Sequence, residues 1–537
     1  MFEQDVSIIL SKSTTGTFFH SIRMGIIGGV LKGALKTRAR LKMPQPAPLR
    51  QQERVLRALL NRARDTQFGR YYGFGSLLNH PELSAEFARR VDWHDYNRIF
   101  DRWWSKQLAG QPDISWPGKT PYFALSSGTT GAPSKYIPVT PDMLRSMRGV
   151  SLRQMEVLAQ YKLPSDLYAK RVLMLGGSTR LKGEGNHYYG DLSGITLSKV
   201  PLWFEPFFSP GRRIARLDDW KQRIEAMVKK APEWDVWIVS GSSTWLVWLM
   251  EQIIERYQLQ TIHDIWPNLK VCTYGGVSIQ PYLNRLERCT AHPLILIETY
   301  LASEGFLAYD TRRSDIRQGM QLNLNNGIYF EFIPFNRTNF DEEGNPRPGF
   351  EALRVDQLSE GAEYAPLITT CAGAWRYLIG DTIRLTSAEH QEITLTGRTR
   401  QFLSLCGEHL SHDNMNEAIL QLSARLGVSL GEFTVHAIEG QDGLGHHWYI
   451  GCDAQISEDQ AARWLDEELS ALNDDYAVER QFALSQFKVD FIPQKWFMEW
   501  MEQRGMLEAQ RKFPRVVQGE VQKAWIDFMQ QKAGGQE

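Results

Sequence analysis

Through the middle of the chain, short apolar runs alternate with helical patterns, the arrangement expected of a parallel sheet covered by helices. Residues 234–240 read as a buried strand, Ser242 as the cap of a helix continuing through Trp245, Leu249 and Ile253, and residues 269–274 as the next strand. A second helix over residues 282–289 leads to a third strand at 294–299. These are two consecutive strand-helix-strand crossovers, each expected to be right-handed. Ligands in such sheets bind beyond the carboxyl ends of the strands, so the loops after Tyr274 and Thr299 should face a site.

After residue 328 the pattern changes to alternating β-branched and aromatic segments (329–333, 383–385, 393–396) divided by Gly and Pro, as in antiparallel sheet or barrel structure. Past Arg400 a further unit has its own helices (414–426, 458–472) and strands (433–438, 447–452, 487–492), enough for a small α/β domain. A chain of 537 residues is too long for one core. The expected fold class is α/β: a large N-terminal domain, residues 1–400, of helix-covered parallel sheets plus antiparallel β/barrel, with a small mobile C-terminal α/β lid domain, residues 401–537.

Composition narrows the partners. With 42% hydrophobic residues, 17 Trp and 61 basic against 62 acidic residues, this is a folded protein with no global field for nucleic acid. The cysteines Cys272, Cys289, Cys371, Cys406 and Cys452 are never spaced as C-x-x-C. They argue against a disulfide framework or a structural zinc site, and fit small core residues in a reducing cytoplasm. Only residues 6–50 are biased in charge, with eight Lys or Arg and no Asp or Glu. The apolar stretch 24–31 within them falls short of the ~20 residues a spanning helix needs, and most of the charges follow it, unlike a secretory signal. No transmembrane segment is expected; the basic segment either packs on its own domain or makes a weak contact with a membrane or partner. A monomer or dimer is expected.

The strongest chemical signal is Ser126, Ser127, Gly128, Thr129, Thr130, Gly131, Ala132, Pro133, Ser134, Lys135. Glycines let backbone N–H groups approach phosphate oxygens, hydroxyls donate further bonds, and an ammonium offsets the charge. The Gly-Lys-Ser/Thr of a P-loop is absent, so this is a different phosphate loop; by residue type alone it also fits an ordinary Ser/Gly turn. Thr140, Pro141 and Asp142 supply a helix cap just after it.

Further motifs follow in order: Tyr300, Leu301, Ala302, Ser303, Glu304 after the third strand; Trp375 to Asp381; Gly397 and Arg398 through Gly407; and Gln510 to Arg515. With the opening stretch from Gln51 to Phe74, they resemble the adenylate-forming, firefly-luciferase-like superfamily, and more closely the Gretchen Hagen auxin-responsive family of acyl-acid amido synthetases. The resemblance covers nearly the whole chain. It implies ATP bound by Ser126, Ser127, Gly128, Thr129, Thr130, Gly131, Tyr300, Ser303, Glu304, Tyr329, Asp381 and Arg398, with Lys135 and Lys512 catalytic. Glu304 would hold Mg²⁺, Asp381 the ribose hydroxyls, and residues 397–410 a hinge. Three positions depart from the family pattern: Leu301 replaces a small residue, Leu378 an arginine whose role neighbouring Arg376 would take over, and His409 a lysine common in plant members.

The implied reaction activates a carboxylic acid as its acyl-adenylate, releasing pyrophosphate, and then transfers the acyl group to an amine, the substrates being a small acid and an amino acid. An apolar acyl pocket is expected near Trp203, Phe204 and residues 240–248. Two other readings stay open: a ligase forming a thioester with coenzyme A, and an inactive nucleotide-binding scaffold.

Overall fold

The computed structural model describes residues 28–30, 32–38, 45–126, 135–276, 279–341, 344–399, 410–440, 443–482, 484–506 and 513–534. The elements that build the site are β1 (Tyr122–Ser126), β2 (Lys135–Val139), α1 (Pro141–Val157), β3 (Val236–Ser242), α2 (Ser243–Tyr257), β4 (Val271–Gly275), α3 (Leu283–Cys289), β5 (Ile295–Ala302), β6 (Asp381–Ser387) and β7 (Glu392–Arg398). The C-terminal unit contributes α4 (His412–Leu426), β8 (Phe433–Gly440), β9 (Gly443–Gly451), β10 (Leu484–Ile492) and α5 (Gly519–Gly534). Among the described residues the strands form sheets of four, twelve and three strands.

The twelve-stranded sheet is mixed. β3, β4 and β5 pair in parallel, as the apolar runs predict, and β6 and β7 pair antiparallel beyond them. On one side of the parallel part, Val236 and Val239 pack with Trp245, Leu249 and Ile253 of α2. The other is covered by Leu158, Leu167 and Tyr168 against Trp237, Val271 and Ile297, with Leu35 of an N-terminal helix described over residues 32–38 joining them. That helix is pinned further by Arg38, which pairs at 2.6 Å with the buried Glu156 of α1. The described part of the basic N-terminal segment therefore packs on its own domain.

In the C-terminal unit β8, β9 and β10 form the three-stranded sheet. α4 begins at Ser411, whose hydroxyl accepts from the Asn414 amide, and ends at Gly427 in a left-handed conformation. Both features are what helix ends require of unpaired backbone groups. Cys272, Cys289, Cys371 and Cys452 are all buried with free thiols, and burial pushes the first three up to about 12. Cys406 lies outside the described residues. No helix among the described residues is long and apolar enough to cross a membrane.

One buried network ties the first 100 residues to the sheet, and it corrects an expectation. Arg376, at φ +42°, donates from Nε to both oxygens of Glu331 at 3.1 and 3.0 Å, and from Nη1 to the carbonyls of Ala88 and Val91 at 2.7 Å each. It is consumed by structure and cannot take over the role of the arginine missing at 378. Leu378 itself packs in a small core with Ile333, Phe340 and Leu367. Beside it, the His94 ring bonds the Trp375 carbonyl at 2.8 Å, and burial lowers this imidazole to about 4.

Two outcomes follow. Glu331→Ala strands a buried guanidinium, and unfolding in denaturant should show a loss of about 3–5 kcal/mol. For His94 the unfolded chain binds the extra proton between pH 6.5 and about 4, so folding stability should rise with pH across that window and fall as pH drops through it. The span corresponds to about 3 kcal/mol, and pH-dependent unfolding of wild type against His94→Asn measures it.

Candidate active site

The carboxyl ends of β3, β4 and β5 lie in register, with Ser242 beside Gly275 and Gly275 beside Thr299. The strands approach closely here: a Cβ on Gly275 would meet the Thr299 carbonyl at 2.5 Å, and the Thr299 hydroxyl donates to the Tyr274 carbonyl at 2.9 Å. Beyond these ends opens a cleft of about 3480 Å³, walled on its far side by residues of the C-terminal unit that include Glu432, Gln494 and Arg515.

Ser126 and Lys135 stand opposite one another across the β1–β2 pair and both line the cleft. The Lys135 ammonium lies 5.5 Å from the centre of the Tyr96 ring, and the Tyr96 hydroxyl accepts from the Tyr136 amide at 2.9 Å. Immediately after β2, the Thr140 hydroxyl caps α1 through the Met143 amide at 3.1 Å and donates to the Cys371 carbonyl at 2.6 Å. The hairpin is thereby fixed to the helix on one side and the sheet on the other. Ser127, Gly128, Thr129, Thr130 and Gly131, between the two strands, lie outside the described residues, as do His409 and Lys512.

Ser303 and Glu304 form the turn between β5 and the strand Gly305–Tyr309, where Ala302 pairs with Gly305. Glu304 is a turn residue yet only 8% exposed. Burial and the neighbouring Asp381 raise its carboxyl, while Lys135 and Arg398 act to lower it. The Tyr377 hydroxyl is hydrogen-bonded to it.

Asp381 begins β6 directly opposite Arg398 of β7. The Arg398 Nε pairs with one Asp381 oxygen at 3.0 Å, and the Tyr300 hydroxyl donates to the other at 2.6 Å. Burial and the Asp381 charge push the Tyr300 phenol well up, so it stays a neutral donor. Arg398 is half exposed, and Asp381 further favours its charged form.

The structure thus brings Ser126, Lys135, Tyr300, Ser303, Glu304, Asp381 and Arg398 to one cleft. Tyr329, expected at the nucleotide, is elsewhere: it sits 2% exposed in the core, edge-on to Phe87, because its strand is covered by the helices Pro48–Ala63 and Leu83–Arg90. Tyr96 and Tyr377 were not anticipated. Tyr377 lay inside the 375–381 motif, but nothing local to the sequence marked Tyr96.

The apolar part of the cleft runs along Met147, Leu152 and Met155 of α1, Tyr168 and Trp237, to Leu35 of the N-terminal helix. Phe204, Ser240 and Trp248 also line it, while Trp245 is at the same time 3% exposed in the core. Among the described residues no group of three or more metal-ligating side chains occurs. A metal at Glu304 would share its coordination with oxygens of a ligand, as Mg²⁺ does with phosphates.

Comparison with known proteins is consistent along the chain. Models of the GH3 family N-terminal, central and C-terminal domains match residues 39–228, 321–398 and 413–521. A probable indole-3-acetic acid-amido synthetase, GH3.6 of Oryza sativa subsp. japonica, is 25% identical over 247 residues, 44% of this chain and 48% of the relative. The indole-3-acetic acid-amido synthetase GH3.2 of Arabidopsis thaliana is 27% identical over 225 residues, 39% of each chain. The chain thus matches less than half the length of these two relatives. In fold it is similar to the solved GH3.15 acyl acid amido synthetase, with a TM-score of 0.73 at 17% identity over 90% of this chain and 93% of that one.

Replacing Tyr300 by Phe removes one of the two partners of the buried Asp381. Loss of a hydrogen bond to a charged group should cost about 1.5–3 kcal/mol of stability, read from chemical denaturation of the variant against wild type.

Proposed function

The chain belongs to the GH3 family, the auxin-responsive family its motifs resemble, and on that premise we propose that it is an ATP-dependent acid–amino acid ligase. The observation that carries this reading is the convergence of Ser126, Lys135, Glu304, Asp381 and Arg398 on one cleft. A carboxylate is a poor electrophile because attack must expel an oxide-like group; adenylation supplies a good leaving group. The acid's oxygen attacks the α-phosphorus of ATP in line and pyrophosphate departs. Lys135, Ser126 and the loop residues Ser127 to Gly131 hold the phosphates, and Asp381 accepts from the ribose hydroxyls.

Glu304 fits a magnesium ion, since its buried carboxylate gains most from a cation beside it. Bound there, Mg²⁺ would screen the charge on the phosphates. In the second step the amino group of an amino acid attacks the acyl carbonyl and AMP leaves. Residues 401–537 act as a mobile lid about the 397–410 hinge, carrying Lys512 to the α-phosphate. The apolar wall from Met147 to Leu35 supports a bulky apolar acid. The four buried free thiols support a reducing compartment, the cytoplasm.

A pyrophosphate-release screen over aromatic, indole and fatty acids, with and without amino acids, should find at least one acid that releases pyrophosphate and yields an amide with an amino acid. A folded, ATP-binding protein silent toward every acid would overturn the enzyme reading, and product formed with coenzyme A instead of amines would replace the acceptor. Lys135→Ala or Glu304→Ala should lower adenylation by about 10²–10³; an unaltered rate would remove the corresponding role. Because Glu304 is raised, its protonated form competes with the metal. The Mg²⁺ concentration for half-maximal pyrophosphate release should climb as pH falls, and Glu304→Gln should flatten that dependence.

A further inference from the structure

Where the loop after β4 meets the C-terminal unit, three polar side chains are closed off from solvent: Tyr282 is 1% exposed, and Glu432 and Arg515 are 7% each. The Tyr282 hydroxyl donates to one Glu432 oxygen at 2.7 Å. Arg515 pairs with the other oxygen, donates to the Phe433 carbonyl at 3.1 Å and lies 4.2 Å over the Phe433 ring. Burial and the Glu432 charge push the Tyr282 phenol up, and the Thr244 side chain is hydrogen-bonded to it. Tyr282 therefore serves Glu432 only as a donor.

Both sides of this contact lead to the site. Tyr282 ends the turn Gln280–Tyr282, which follows the cleft-lining Gly275 and Gly276 and against which α4 packs. Arg515 sits on a segment laid beside β8, its carbonyl accepting from the Val435 amide at 2.9 Å while the Val517 amide donates to the Val435 carbonyl at 3.0 Å. Lys512 precedes Arg515 by three residues.

A buried ion pair adds little net stability, because desolvation offsets its attraction, but only one arrangement satisfies all its groups. Glu432 and Arg515 both belong to the C-terminal unit, so when it swings away only the Tyr282 hydrogen bond breaks while the ion pair stays intact and meets water, and opening costs far less than removing one partner would. We propose that Tyr282, Glu432 and Arg515 form a latch that holds the C-terminal unit in the orientation for adenylation and opens for acyl transfer, with Tyr282 as a positioning residue. The proposal rests on the two-step reading above.

The test uses the full chain carrying Tyr282→Phe, with Glu432→Gln as the conservative partner variant and thermal unfolding to confirm that both are folded. The two half-reactions are measured separately: pyrophosphate release from acid and ATP, and aminolysis of chemically prepared acyl-adenylate. Tyr282→Phe should lower kcat of the first about tenfold, the scale of one hydrogen bond to a charged group. It should leave the KM for ATP within about twofold and the second half-reaction equal or faster. Glu432→Gln, which leaves the buried Arg515 without its charged partner, should lower the first half-reaction at least as far as Tyr282→Phe. Small-angle scattering of the ligand-free proteins should give a larger radius of gyration for Tyr282→Phe. Equal losses in both half-reactions, or no loss in either, would overturn the latch, as would identical scattering of the two proteins. If wild type forms no adenylate with any acid the two-step reading fails on its own, and scattering still decides whether the contact holds the unit.

Discussion

Glu304 and Asp381 are carboxylates kept from water at the meeting point of strands that are far apart in sequence. Each is unfavourable as a charge unless something supplies a compensating group. For Asp381 the protein supplies it, with Arg398 on one oxygen and Tyr300 on the other. For Glu304 it supplies a hydroxyl from Tyr377, a backbone hydrogen bond from its own residue and the charges of Lys135 and Arg398, with no ion pair among the described residues. The difference separates their behaviour. Asp381 is a fixed acceptor held in one geometry, and Glu304 is a carboxylate that gains from a further cation. The hairpin of β1 and β2, the register of β3 to β5 and the β6–β7 pair all serve to place these two groups together.

The parallel layer was legible because each element follows from local pattern. The expected strands at 234–240, 269–274 and 294–299 became Val236–Ser242, Val271–Gly275 and Ile295–Ala302, shifted by one to three residues, as pairing rather than hydrophobicity decides where a strand stops. The motifs around Glu304 and Asp381 were readable for the same reason: a strand end and a Gly-Asp turn are local features. Tyr329 and Arg376 were not readable. Whether an aromatic or a guanidinium faces a cleft or a core depends on what covers its strand, and here residues some 240 to 290 positions earlier do the covering.

The C-terminal unit shows the same division. Its helices and strands lie near where periodicity places them, but the role of residue 515 could not be read from its neighbours. A run of Arg, Lys and Pro reads as a solvated basic cluster, whereas Arg515 is buried against Glu432. The partner that changes its meaning is 83 positions away.

The turn that carries Glu304 has two residues and lies between strands paired at Ala302 and Gly305. A Cβ on Gly305 would come within 2.9 Å of the tip of the Ile328 side chain, so the packing behind the turn is close. The reach of the carboxylate is thus metered by strand register rather than by a flexible loop. Lengthening the turn by even one residue would turn the following strand over, exchanging its core and outward faces.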